Sequence, residues 1–204
     1  MNQALSTRES LLFEARKLFS QKGFDGTSVR AITRSAGANL GAVNYHFGSK
    51  EALYHAVLAG AWGEVAAAIG AEAARPGPPL ARIEAVLRVL FAGLERQPDL
   101  AGLVLRELAA TRPVPVPLAE NVGRVALILR GLIAEGQAEG SIVPGDPQLL
   151  TLSLFAQPFH VLAVRKKLRE VLGLPADEAA VFARVVDNAV AFVRRGLTAE
   201  GRLA

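Results

Sequence analysis

Apolar residues recur three and four positions apart along most of this chain, the spacing of one face of an α-helix. In the first fifty residues they come in short runs with sharp punctuation. Ser6-Thr7-Arg8-Glu9 forms a capping box, with serine at the N-cap and glutamate three residues on. Leu11, Leu12, Ala15, Leu18 and Phe19 then mark an inner face, with Arg16, Lys17 and Lys22 outside it. Gly23 can take the left-handed conformation that stops this helix. Thr27 is the expected N-cap of a second helix whose inner face is Val29, Ile32 and Ala36, ended by Gly37. Asn39 is the expected N-cap of a short third helix, Leu40 to about Phe47, before Gly48 and the next cap, Ser49.

Beyond Ser49 the pattern lengthens. Proline-bearing breaks at Pro76 to Pro79, Gln97-Pro98, Pro113 to Pro117, Pro144 with Pro147, and Leu174-Pro175 separate apolar helical segments. They predict helices near 49–74, 80–96, 98–111, 117–139, 146–172 and 176–196. No strand-like alternation and no internal repeat interrupts them. The expected fold is all-α: a three-helix head over residues 1–50 and a helical body over 51–204.

The head has a specific logic. Two helices joined by a tight glycine turn, the second short and polar on one side, make a helix-turn-helix unit. Val29 and Ile32 of the first would hold the second rigid through Val43 and Phe47, leaving its other face free to enter a major groove. The same pattern also suits a plain three-helix packing unit with no ligand.

Composition narrows the classes. The longest apolar run, Thr151 to Val164, is too short to span a bilayer, so no membrane role is expected. The acidic residues Glu9 and Glu14 near the start, with no small-residue cleavage pattern, argue against a secretory signal. The absence of cysteine excludes disulfides and thiolate metal sites and fits a cytoplasmic location. Seven Lys/Arg stand against four Asp/Glu over residues 1–60, a small excess of the sign a phosphate backbone attracts. His46, His55 and His160 are scattered, and neither a phosphate loop nor a nucleophile elbow is present. No enzyme, cofactor or metal site is expected.

The stretch Gly23-Phe24-Asp25-Gly26-Thr27-Ser28, then Ala36-Gly37, then Asn44-Tyr45-His46-Phe47-Gly48-Ser49-Lys50-Glu51-Ala52-Leu53 resembles the DNA-binding signature of the tetracycline-repressor family. The resemblance spans roughly residues 6–58. It implies an operator in double-stranded DNA, a homodimer, and a body that binds a small hydrophobic effector. Asn44 departs from the tyrosine common in the family, and an amide can pair with adenine where a phenol cannot.

By this resemblance Thr27 donates its hydroxyl and backbone amide to a phosphate, and Arg30 meets a phosphate or a guanine edge. Asn39, Gly41 and Asn44 face base edges. Tyr45, His46 and Lys50 contact phosphates, with helix packing as the alternative for Tyr45 and His46.

In the body, the last helix carries two apolar stripes, Phe182, Val186, Ala189 and Val193, and Val181, Val185 and Phe192. One can face the core and the other a partner. Leu150, Leu154, Val161 and Leu168 of the preceding helix could complete a four-helix interface. Trp62, Phe91, Arg106, Gln157, Phe159 and His160 are candidate effector contacts, near Pro158, whose ring leaves the Leu154 carbonyl without its helical partner. Simple core packing competes for the aromatics, and a surface pair with Glu107 for Arg106. The 49–74 helix, joining head to body, is the expected lever between effector and DNA. The resulting expectation is a repressor released from a palindromic operator by a small apolar effector. A dimeric DNA-binding regulator without an effector is the alternative.

Overall fold

The computed structural model describes residues 5–173 and 178–199, except for the side chains of 163–169, 172, 178 and 179. Helices occupy most of them: α1 (Thr7–Lys22), α2 (Val29–Ser35), α3 (Ala42–Phe47), α4 (Lys50–Ala73), α5 (Pro79–Arg96), α6 (Pro98–Ala109), α7 (Val116–Ala138), α8 (Pro147–Leu172) and α9 (Glu178–Leu197). Among the described residues the only extended pairing is an isolated antiparallel bridge between Ile142 and Thr198. The chain is all-α, as its periodicity predicts.

The ends of the helices follow local chemistry. Ser6 and Glu9 close the predicted capping box, and Gly23 stops α1 at φ 73°. Ser49 caps α4 by accepting from the Ala52 amide. Prolines open α5, α6 and α7, where the missing N–H has no helical partner to lose. Two caps differ from the sequence expectation. Ser28, not Thr27, caps α2, accepting from the Ala31 amide. Gly41, not Asn39, precedes α3 and makes no side-chain cap, so α3 begins two residues later than the pattern suggests. The predicted break at Leu174-Pro175 and the dimer-stripe residue Leu168 lie outside what is described.

Helix α4 organises the molecule. It packs on α1 and α3 at the head and on α5 and α7 in the body. Leu53, Val57, Leu58, Trp62, Val65 and Ile69 line its buried side, each fully buried side chain contributing roughly 1.5–3 kcal/mol. This helix is long and apolar enough to cross a membrane by length and composition, whereas Thr151 to Val164, read from sequence as the longest apolar run, is too short. Half of its most apolar stretch is buried against its neighbours, as in the core helix of a globular fold. On the far side of the body, α9 lies against α5, pinned by Arg88–Asp187 at 2.7 Å and Arg194–Glu84 at 2.6 Å.

Candidate nucleic-acid interface

The short α3 is held from one side only. Ala42 and Val43 are buried, together with Ile32 of α2 and Leu11, Ala15 and Phe19 of α1. Val29 and Phe47 pack against the same cluster. The opposite face of α3 is left open to solvent among the described residues. Asn44 is exposed and Tyr45 is 86% exposed, so the packed alternative for Tyr45 is excluded. Asn39, Leu40 and Gly41, in the turn leading into α3, are exposed too. Leu40 and Tyr45 are large apolar groups left in water, a costly arrangement that marks a contact surface when clustered. The turn between α2 and α3 passes through Gly37 at φ 64°, a conformation that other residues adopt only with strain. Thr33, buried on α2, satisfies its hydroxyl by donating to the Val29 carbonyl at 3.1 Å.

The other head residues divide. Arg30 is exposed on the first turn of α2, beside the exposed Ser28 cap. His46 is half-buried and stands edge-on to Tyr45, ring centroids 4.9 Å apart. Lys50 is half-buried with its Nζ 4.2 Å from the centre of the Phe24 ring, so its charge sits at the rim of the surface. Thr27 corrects its expected role. It is 2% exposed, and its hydroxyl donates inward to the Gly23 carbonyl at 2.8 Å and the Leu18 carbonyl at 3.1 Å. Its amide donates to the Phe24 carbonyl. Thr27 therefore locks the turn, and the exposed hydroxyl at this helix start belongs to Ser28. The sequence signal was present: two adjacent hydroxyl residues precede α2, and only burial decides between them.

The six effector candidates do not converge. Trp62, Phe91 and Phe159 are buried in the body, and Trp62 leans against Phe159 with centroids 5.5 Å apart. The Trp62 indole Nε1 is buried with no hydrogen-bond acceptor among the described residues. Gln157 and His160 instead face outward, in a groove between α8 and α9 that Val185, Asn188 and Phe192 also line. Gln157 and His160, three residues apart, share one side of α8, and Phe159 lies about 100–200° round the helix from them, toward the core. Arg106 is exposed at the joint between body and head, where its Nη2 donates to the Ser20 carbonyl at 3.5 Å.

The surface pairing of Arg106 with Glu107 is likewise corrected. Glu107 is 2% exposed and pairs with Arg112, whose Nη2 reaches both carboxylate oxygens at 2.6 and 2.5 Å. Its place one turn beyond Leu103 and Val104 in the apolar stripe of α6 was the sequence signal for burial. Burial and the Glu107 carboxylate together push the nearby Tyr54 phenol far above its ordinary range, so Tyr54 stays neutral.

Residues 11–57 match the family described as bacterial regulatory proteins, tetR family. The chain is 28% identical over 196 residues to the transcriptional regulator RutR of Escherichia coli, covering 93% of this chain and 90% of RutR. It is 31% identical over 146 residues to the transcriptional repressor NicS of Pseudomonas putida, covering 68% and 66% of the two. In three dimensions it is similar to AibR, solved in complex with isovaleryl coenzyme A and operator DNA, with TM-score 0.75 and 17% identity over 92% of this chain and 98% of AibR. With the helix-turn-helix head, the helical body and these relatives together, the chain belongs to the tetR family of bacterial regulatory proteins and is a DNA-binding transcriptional regulator.

Proposed function

We propose that this regulator is a homodimeric repressor that sits on a palindromic operator and is released by a small apolar effector. The observation that carries the DNA half is the one-sided burial of α3: Val43 is anchored while Asn44 and Tyr45 project into solvent. In this reading Asn39, Gly41 and Asn44 meet base edges, Asn44 pairing bidentately with adenine. Ser28, Arg30, Tyr45, His46 and Lys50 meet the phosphates on either side.

One such helix reads few bases, so two heads are required. The outer face of α8 and α9 supplies the dimer surface. Leu149, Leu152 and Phe192 are exposed there, beside Gln157, His160 and Val185, while Val186, Ala189, Val190 and Val193 face the core. This matches the two-stripe reading of α9. Leu154 is buried and serves the core instead.

The repressor assignment is supported by the likeness to NicS, and effector sensing by the likeness to AibR, whose complex holds both a ligand and operator DNA. Trp62 and Phe159 are the effector contacts in this scheme, and the buried unpaired indole N–H is a donor available to an acceptor on the effector. One observation favours the effector-free alternative: Trp62, Phe91 and Phe159 are already packed, at most 2% exposed. Trp62 is the sole tryptophan, so its emission reports directly on ligand entry.

The deciding experiment is binding of the purified protein to duplexes from its own promoter region across a salt series. Sequence-selective affinity that falls steeply with salt is expected. Affinity indifferent to sequence and salt refutes the proposal. In sedimentation the wild type should run as a dimer and Phe192→Asp as a monomer.

A further inference from the structure

The head is joined to the body by more than the continuity of α4. At the start of α6, Arg16 of α1 donates to the Gln97 side chain at 3.1 Å. Near its end, Arg106 bonds the Ser20 carbonyl and lies against Gly23 so closely that a Cβ there would stand 3.2 Å from its Nη1. Just past α6, Arg112 extends toward the head. Its guanidinium carbon lies 5.3 Å from the centre of the Phe24 ring and 5.6 Å from that of Tyr54. Phe24 belongs to the turn between α1 and α2 and packs on Phe19 and Tyr54.

Three features make this contact stiff. Glu107, almost wholly buried, holds Nη2 of the guanidinium with both carboxylate oxygens, so that end of the side chain is tethered beside the rings. Pro113 follows directly and disfavours a helical conformation at Arg112, which turns the chain out of α6. On the head side, Thr27 ties its turn to Gly23 and Leu18, so a displacement of Phe24 carries α2 with it. A pair retained for stability alone has a cheaper substitute, because well-packed apolar residues often replace a buried ion pair without loss.

We infer that Arg112, held by Glu107, is a positioning residue that sets the angle of the DNA-reading head on the body through Phe24. In a dimer that angle sets the distance between the two recognition helices, which must match whole turns of the duplex. The cluster thus tunes which half-site spacing is accepted and touches no base itself. The inference rests on the DNA-reading proposal above.

Its test uses the full-length protein and the duplex that the wild type selects from a random pool, with the half-site spacer then lengthened or shortened by one base pair. Two variants are compared. Arg112→Lys keeps a charge for Glu107 but replaces the broad guanidinium beside Phe24 and Tyr54 with a compact ammonium. The double variant Glu107→Met with Arg112→Met removes the pair and leaves an apolar contact. Both should keep helicity and dimer mass while the preference for the selected spacer falls about threefold to tenfold. A general loss of stability would not move that ratio. A wild-type spacer preference in whichever variant folds, or failure of both to fold, overturns the inference and leaves the cluster a stability device. A wild-type protein that selects no duplex sinks the DNA-reading proposal first, and this inference with it.

Discussion

Head and body bury their apolar residues in opposite styles. In the head, α2 and α3 are seven and six residues long, too short to persist alone, and are held by a few anchors such as Ile32 and Val43. Much of their remaining surface is left open. In the body, α4, α5 and α7 run from 18 to 24 residues and bury whole faces, with Trp62 and Phe91 inside. The difference teaches where function and stability reside. A surface that must meet DNA is kept out of the core, so its side chains add little to folding. The body supplies the folding free energy that keeps so spare a head in shape.

Substitutions can break or sharpen that contrast. Trp62→Ala should have the largest effect, a loss of about 3–5 kcal/mol of folding stability measured by denaturant unfolding, because it empties a closed aromatic site. A loss well under 1 kcal/mol would mean that the body is loosely packed, and the contrast fails.

Next comes Asn44→Ala. It should weaken operator binding by about 1–3 kcal/mol in a titration by anisotropy while the melting temperature stays put, since the side chain is exposed. A drop in melting temperature with unchanged affinity would put Asn44 in the scaffold.

Gly37→Ala should cost about 1–2 kcal/mol of stability, read by thermal melting. Nothing lies within 4 Å of the added methyl, so the whole cost is backbone strain at φ 64°. It would show how much of the head's order rests on one turn.

The smallest effect lies at the very start of the head. Hydrogen bonds from Ser6 hold the Glu9 carboxyl below its usual range. A depressed carboxylate favours the folded form at neutral pH, and that contribution disappears as pH falls through the lowered value. Ser6→Ala removes the larger, side-chain part of that effect and keeps the backbone bond, so the Glu9 titration, followed by NMR, should move up toward its usual range and the acid side of the α1 melting profile should become shallower.

Legibility in the sequence also divides along this line. The helix order and most helix ends were readable, because capping boxes, prolines and glycines act within a few residues of themselves. The exposed face of α3 was readable for the same reason. The effector constellation was not: Gln157 and His160 share α8 with Phe159 yet face the other way, and Arg106 belongs to the joint with the head. Nor was Thr27, whose neighbour Ser28 has the same chemistry and the opposite burial.

Local sequence therefore determined the elements of this protein: an all-helical chain with a short-helix head whose third helix turns polar side chains outward. Tertiary structure alone decided which hydroxyl faces solvent, which α8 residues enter the core, and that Glu107, Arg112 and Phe24 meet. Periodicity and capping depend on residues a turn apart, whereas these outcomes depend on partners far apart in the chain, such as Phe24 with Arg112 and Trp62 with Phe159, that no local pattern encodes.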